Sequence, residues 1–226
     1  MTFDDFKKLR IEKYGKLNRL MSLTSGQLQN LFYSIAIFEI CDEVDKELAK
    51  LYRGKPQYNP RLHYSDYYIH TIMNNTYSTM LINIDNLFFK IGGKNNLFIQ
   101  LKNEIQKIIG KSNNEWFESQ LGNKCLLNNA IKARNNVFVH LNTDFKINDI
   151  NGKKHNVWLK PEEFQKIFDD AYMRYQNIRN FLWNQQDWIT TNYNVDWSPL
   201  LPKYKQKIKA KWKKIILDWI NQSIEI

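Results

Sequence analysis

The sequence predicts an all-α protein with one short irregular or β-hairpin insert near residues 145–160 and a basic helix in its last third. Three observations carry this expectation. Only 8 glycines and 5 prolines punctuate 226 residues. Between these breaks, apolar side chains recur at three- and four-residue steps, the spacing of one face of a helix. No internal repeat or low-complexity tract points to another architecture.

Taken in order, a first helix is expected from about Thr2 to Leu23, on Phe3, Phe6, Leu9/Ile11, Tyr14 and Leu17. A second begins near Ser25 and runs through Leu28, Leu31/Phe32, Ile35, Phe38, Val44 and Leu48 to Leu51, where Arg53-Gly54-Lys55-Pro56 stops it. Gln57 to Ser65 reads as a loop or short turn. A strongly apolar helix follows from about Asp66 to Ile91, closed by Gly92-Gly93. Asn95-Asn96 supplies a cap for Leu97–Ile109. Another stripe covers Asn123 to about Asn142. Asn151-Gly152, flanked by Phe145, Ile147 and Ile150 and by Val157-Trp158-Leu159, reads as the turn of a small hairpin. Pro161-Glu162-Glu163 opens a helix to about Trp183, with proline at its first position and acids in its first turn.

After Trp183 the character changes. Trp188, Tyr193 and Trp197 sit in an Asn-rich stretch ending at Pro199 and Pro202, where aromatic rings would stack bases or pin the tail to its own domain. The segment from Lys203 to about Ile224 is basic and amphipathic. Seven of its first twelve residues are Lys, while Ile208, Trp212, Ile215/Ile216 and Trp219 fall on one side.

Composition excludes several classes. The most apolar run, Leu31 to Ile40, contains Tyr33, Ser34 and Glu39 and falls short of the roughly 20 apolar residues of a membrane span. Met1-Thr2-Phe3-Asp4-Asp5 is acidic, so no secretory signal is expected and the location expected is cytoplasmic, with no membrane partner. Cys41 and Cys125 are too few for a disulfide framework or a four-cysteine zinc site. The four histidines, His63, His70, His140 and His155, lack the helical spacing of metal ligands. No phosphate loop, dinucleotide fingerprint or nucleophile elbow is present. Neither metal nor cofactor is expected.

Thirty-three Lys and Arg against 23 Asp and Glu give a formal charge of +10. Such an excess favours a polyanionic partner, nucleic acid first. The abundance of Asn and Ile supplies a blander source, an AT-rich coding sequence that raises Lys without selection. Lys203, Lys205, Lys207, Lys209 and Lys211 are the candidate phosphate contacts of the last helix. A solvated face, or a helix resting on anionic lipid, would use the same residues.

One cluster carries chemistry: Lys132-Ala133-Arg134-Asn135-Asn136-Val137-Phe138-Val139-His140-Leu141-Asn142. Polar groups able to bind phosphate and move a proton interrupt an apolar stripe. Asn136 and His140 lie one turn apart on one helical face. Arg134 and His140 would project about 120° apart on an ideal helix. Either the helix bends, or a second copy completes the site.

This cluster resembles the signature of the HEPN superfamily, an Arg and a His four to six residues apart with a polar residue after the Arg. Arg134, Asn135 and His140 match it. The apolar helix ending Leu81-Ile82-Asn83-Ile84-Asp85-Asn86-Leu87-Phe88-Phe89, the motif and the helix after Pro161 together resemble the abortive-infection (AbiU-type) branch. The resemblance covers roughly Gln27 to Trp183. It implies a HEPN-like helical domain, taken as 1–184. The change of character after Trp183 leaves 185–226, outside the resemblance, as an aromatic linker and basic helix packed on or beside it. The resemblance also implies a metal-independent endoribonuclease toxin, dimeric, with an antitoxin as a further partner. Arg134 would clamp phosphate, His140 carry the proton and Asn135 orient one of them, with Asn136 and Lys132 as RNA contacts. In the branch controlled by nucleotide transfer a Tyr stands two residues after the His; here that residue is Asn142. The alternative is an all-α RNA-binding or scaffold protein of the same fold without turnover, in which Arg134 is a surface cation and His140 a helix-end residue.

Overall fold

The computed structural model describes residues 3–52, 60–89, 96–109, 127–133, 146–148, 154–156, 159–183 and 201–225. Five long helices dominate: α1 (Phe3–Tyr52), α2 (Pro60–Phe88), α3 (Leu97–Ile109), α4 (Pro161–Trp183) and α5 (Leu201–Glu225). Residues 127–133 are also helical. Strands β1 (Lys146–Asn148) and β2 (Lys154–Asn156) pair antiparallel, with Ile147 opposite His155. Among the described residues the protein is all-α apart from this two-stranded ladder. Among the described residues no helix is long and apolar enough to cross a membrane.

Two helices differ from the sequence expectation. The expected helices 2–23 and 25–51 are one, α1, 50 residues long. Thr24-Ser25-Gly26 reads as a break, but the Thr24 hydroxyl is buried and donates to the Leu20 carbonyl at 2.8 Å, one turn back. A hydroxyl satisfied in this way does not compete with the helix for backbone partners. Gly26 faces open space, with no atom within 4 Å of where a Cβ would sit. The second difference is the start of α2. It begins at Pro60, six residues before Asp66, within the stretch read as a loop. Proline suits a first helical position because its missing N–H has no intrahelical partner there.

Capping follows the sequence closely. Asn96 Oδ1 accepts from the Ile99 N–H at 2.7 Å, and its Nδ2 donates to the Phe88 carbonyl at 2.5 Å. One buried side chain thereby caps α3 and anchors it to the end of α2. At α4, the Lys160 N–H donates to Glu163 Oε2 at 2.8 Å while the Glu163 N–H donates to the Lys160 carbonyl at 3.0 Å. Pro161 follows the cap, and the acids of the first turn complement the helix dipole.

The chain divides into two compact units, both running through α1 and α2. The first comprises Met1–Leu31 and Leu81–Val195, the second Phe32–Met80 and Asp196–Ile226. The expected boundary at 184/185 falls outside the described residues. In the first unit, α4 buries Phe164, Ile167, Phe168, Ala171, Tyr175, Ile178 and Leu182, an unbroken stripe at helical spacing. α3 contributes Phe98, Leu101 and Ile105, and the Phe88 and Phe98 rings lie 5.2 Å apart. In the second unit, Ile40, Cys41, Val44 and Ile69 form a buried cluster that Ile37, Met73, Ile216 and Leu217 partly cover. The Phe38 and Tyr77 rings meet at 6.0 Å beside it. Burial raises the Cys41 thiol to about 11, so it stays a neutral packing group at physiological pH.

Candidate nucleic-acid interface

Of the candidate site residues in the motif, only Lys132 belongs to the described part of the chain. Helical residues 127–133 bury Ala130 and Ala133, three residues apart on one side, while Lys132 between them is exposed. Arg134, Asn135, Asn136 and His140 follow and lie outside the described residues. Trp188, Tyr193 and Trp197 do so as well. Asp85, on α2, is buried. Among the described residues, no group of three or more His, Cys, Asp or Glu side chains gathers as a metal ion would require.

The basic helix is better defined, and its lysines fall into two sets. Lys209 Nζ lies 3.3 Å from Glu39 Oε2 and 2.7 Å from Glu43 Oε1. Lys213 Nζ lies 2.7 Å from Glu47 Oε1 and 3.6 Å from Glu43 Oε2. Glu39, Glu43 and Glu47 stand one turn apart on α1, so two lysines one turn apart meet a matching acidic stripe. The hydrogen bond from Lys209 holds the Glu43 carboxyl below its ordinary value, aided by the charges of Lys209 and Lys213 and opposed by burial. Burial acts to lower Lys209, yet its bond to Glu43 and the charge of Glu39 raise it overall. The bond to Glu47 raises Lys213. Lys209 is therefore already neutralised within the chain, and what it offers a phosphate is reduced accordingly.

Lys203, Lys207 and Lys211 are exposed, as is Lys214. At about 100° per residue these four span only about 80° of α5. They form a single cationic row with Asp218 at its far end. The side chain of Lys205 lies outside the described set. A row of this kind suits a polyphosphate backbone, each contact releasing counterions and adding to the salt dependence of binding.

The acidic stripe that divides these lysines was legible in the sequence as Glu39, Glu43 and Glu47 at four-residue intervals. It passes unremarked when α5 is read as a separate tail. Arg174 is a second group without a place in the sequence reading. It is buried, with its Nε 3.2 Å and a terminal nitrogen 3.1 Å from Asp170 Oδ2, and it stacks 5.5 Å over the Phe88 ring. Burial lowers its pKa against the opposing pull of Asp170. The signal available was the four-residue spacing of Asp170 and Arg174 inside an amphipathic helix.

Compared with protein-family models, with curated proteins and with solved structures, the chain gives no match.

Proposed function

We propose that the chain is a metal-independent endoribonuclease of the HEPN type, acting as a toxin in phage defence or in a toxin–antitoxin pair. The observation that carries this reading is the run Arg134-Asn135-x4-His140 placed directly after helical residues 127–133 in an all-α chain. The exposed cationic row of α5 supports it by supplying a surface for the substrate backbone.

RNA carries its own nucleophile, the 2′-hydroxyl. In the proposed reaction one imidazole takes the hydroxyl proton as O2′ attacks the adjacent phosphorus. The bond to the 5′-oxygen breaks, that oxygen receives a proton from a second imidazole, and a 2′,3′-cyclic phosphate remains. Histidine suits both transfers because its ordinary pKa lies near neutrality. Arg134 balances the charge gathering on the non-bridging oxygens, and its fork of donors fits them. Asn135 orients the Arg or the His. Lys132 and Asn136 hold flanking phosphates, and Lys203 and Lys207 of α5 add phosphate contacts of their own. Two copies of the chain bring two imidazoles and two guanidinium groups to one cleft, which removes the conflict of directions within a single helix.

RNA cleavage by the purified protein in the presence of a chelator tests this. Wild type is expected to cut, and Arg134→Ala and His140→Ala each to lose a factor of about 10² or more. Cleavage equal in wild type and His140→Ala overturns the reading. Binding that weakens with salt but brings no cleavage in any variant assigns the chain to the non-catalytic RNA-binding class instead.

A further inference from the structure

The side of α5 that its sequence marks as apolar is left open at the two of its positions that are described, Trp212 and Ile215. Leu201, Ile208, Trp212, Ile215 and Trp219 recur at seven-, four-, three- and four-residue steps and share a strip about 60° wide. That is the average 3.5-residue rhythm of a coiled-coil seam, broken once by Lys205. The helix is instead held through Lys209, Lys213, Ile216 and Leu217, centred roughly a third of a turn away. Trp212 and Ile215 are left 47% and 46% exposed in the middle of the seam. An exposed Trp and Ile in successive layers mark an interaction surface more clearly than scattered apolar residues do.

We propose that a second copy of this chain covers the seam, with the two α5 helices antiparallel. Charge distribution selects this occupant and this direction. Residues 203–214 hold seven Lys and no acid, whereas 215–225 hold Asp218 and Glu225 and no Lys or Arg. Parallel helices would set one lysine-rich half against the other. Antiparallel helices set each lysine-rich half against the acidic half of the second copy, and their dipoles oppose one another. The same alignment places Trp212 against Ile215 and Ile208 against Trp219 across the two-fold axis, a large residue facing a smaller one in each layer. Lys211 and Asp218, which flank the seam on the same side, then come together across it. Lys203 and Lys207 stay outside the seam and free for phosphate. The pairing stands independently of whether the protein cuts RNA.

Sedimentation velocity of the full chain over a concentration series tests it. Wild type is expected to show a reversible dimer, and Trp212→Glu with Ile215→Glu a monomer of unchanged helix content by circular dichroism. Lys211→Glu is expected to weaken the dimer about tenfold, since the two-fold axis makes each reversal count twice, and Lys211→Glu with Asp218→Lys to restore it. The charge pair keeps the test decisive if the seam variant fails to fold. Wild type that stays monomeric at the top of the series overturns the proposal. So does a dimer indifferent to both sets of variants. Wild-type monomer that pellets with phosphatidylserine vesicles through Trp212 and Ile215 assigns the seam to a membrane surface and overturns it too.

Discussion

α4 and α5 are both amphipathic helices of more than twenty residues, at 23 and 25, yet α4 docks by its apolar stripe and α5 by its lysines. Every apolar position of the α4 stripe from Phe164 to Leu182 is buried. In α5 the strongest apolar positions described, Trp212 and Ile215, face outward while Ile216 and Leu217 give partial cover to a neighbouring cluster. An apolar stripe in a sequence says that something will cover that face. It does not say whether the cover comes from the same chain.

The largest expected effect lies on α4. Phe164 is fully buried, so Phe164→Ala removes its transfer free energy and leaves a cavity, together about 3–5 kcal/mol. Trp212→Ala in dilute, monomeric protein is expected to cost no more than about 0.5 kcal/mol, as for surface positions generally. Chemical denaturation of the two variants measures the contrast. A comparable loss from both would mean that Trp212 is covered within its own chain, and the distinction between the helices would fall.

That contrast also marks how far the sequence could be read. Period and caps placed α3 and α4 to the residue, because Asn96, Pro161 and Glu163 act on backbone within a turn of themselves. The join within α1 was misjudged because the break-like propensities of Thr24 and Gly26 are weak priors: the Thr24 hydroxyl turns back to the Leu20 carbonyl and the helix runs on through Gly26. α5 was expected on or beside the helical domain, but which residues hold it could not be read, for a different reason. Its docking depends on Glu39, Glu43 and Glu47, more than 150 residues away in sequence, and no local pattern pairs two distant stripes. Of the candidate site, Arg134 and His140 lie outside the described residues, so the contrast can be drawn only for the lysines. The sequence did not separate the neutralised Lys209 from the exposed Lys203, Lys207 and Lys211.

The charge pairs of the two helices differ in the same way as their apolar faces. On α4 the guanidinium of Arg174 is buried and depends on Asp170 for compensation. Asp170→Ala leaves that cation in a low-dielectric site without its carboxylate, at an expected cost of about 1.5–3 kcal/mol. Arg174→Met, which removes the charge and keeps the stem packed on Phe88, is expected to cost less than Asp170→Ala. The reverse order in thermal melts would show that the guanidinium stabilises the fold in its own right.

The smallest effect is expected from the pairs that hold α5. The Lys209, Glu39 and Glu43 side chains are from about one-fifth to two-fifths exposed, and pairs of this kind contribute about 0–1 kcal/mol each after screening. Their pH dependence has a defined sign. The Glu43 carboxyl lies below its ordinary value of 4.5 in the folded chain, so its contribution is complete above that value and is lost as pH falls through the lowered one. Lys209 lies above its ordinary value of 10.5, so its contribution is complete below that value and is lost as pH rises through the raised one. The latch is therefore expected to hold across the neutral range and to weaken at both extremes. At neutral pH, salt should loosen it, because the Debye length shortens from about 10 Å at 0.1 M to about 3 Å at 1 M. Hydrogen exchange of α5 amides at fixed pH should accelerate with salt and with Glu43→Gln, while exchange in α4 stays unchanged. Equal salt sensitivity of the two helices would mean that the apolar contacts of Ile216 and Leu217, and not the lysines, keep α5 in place.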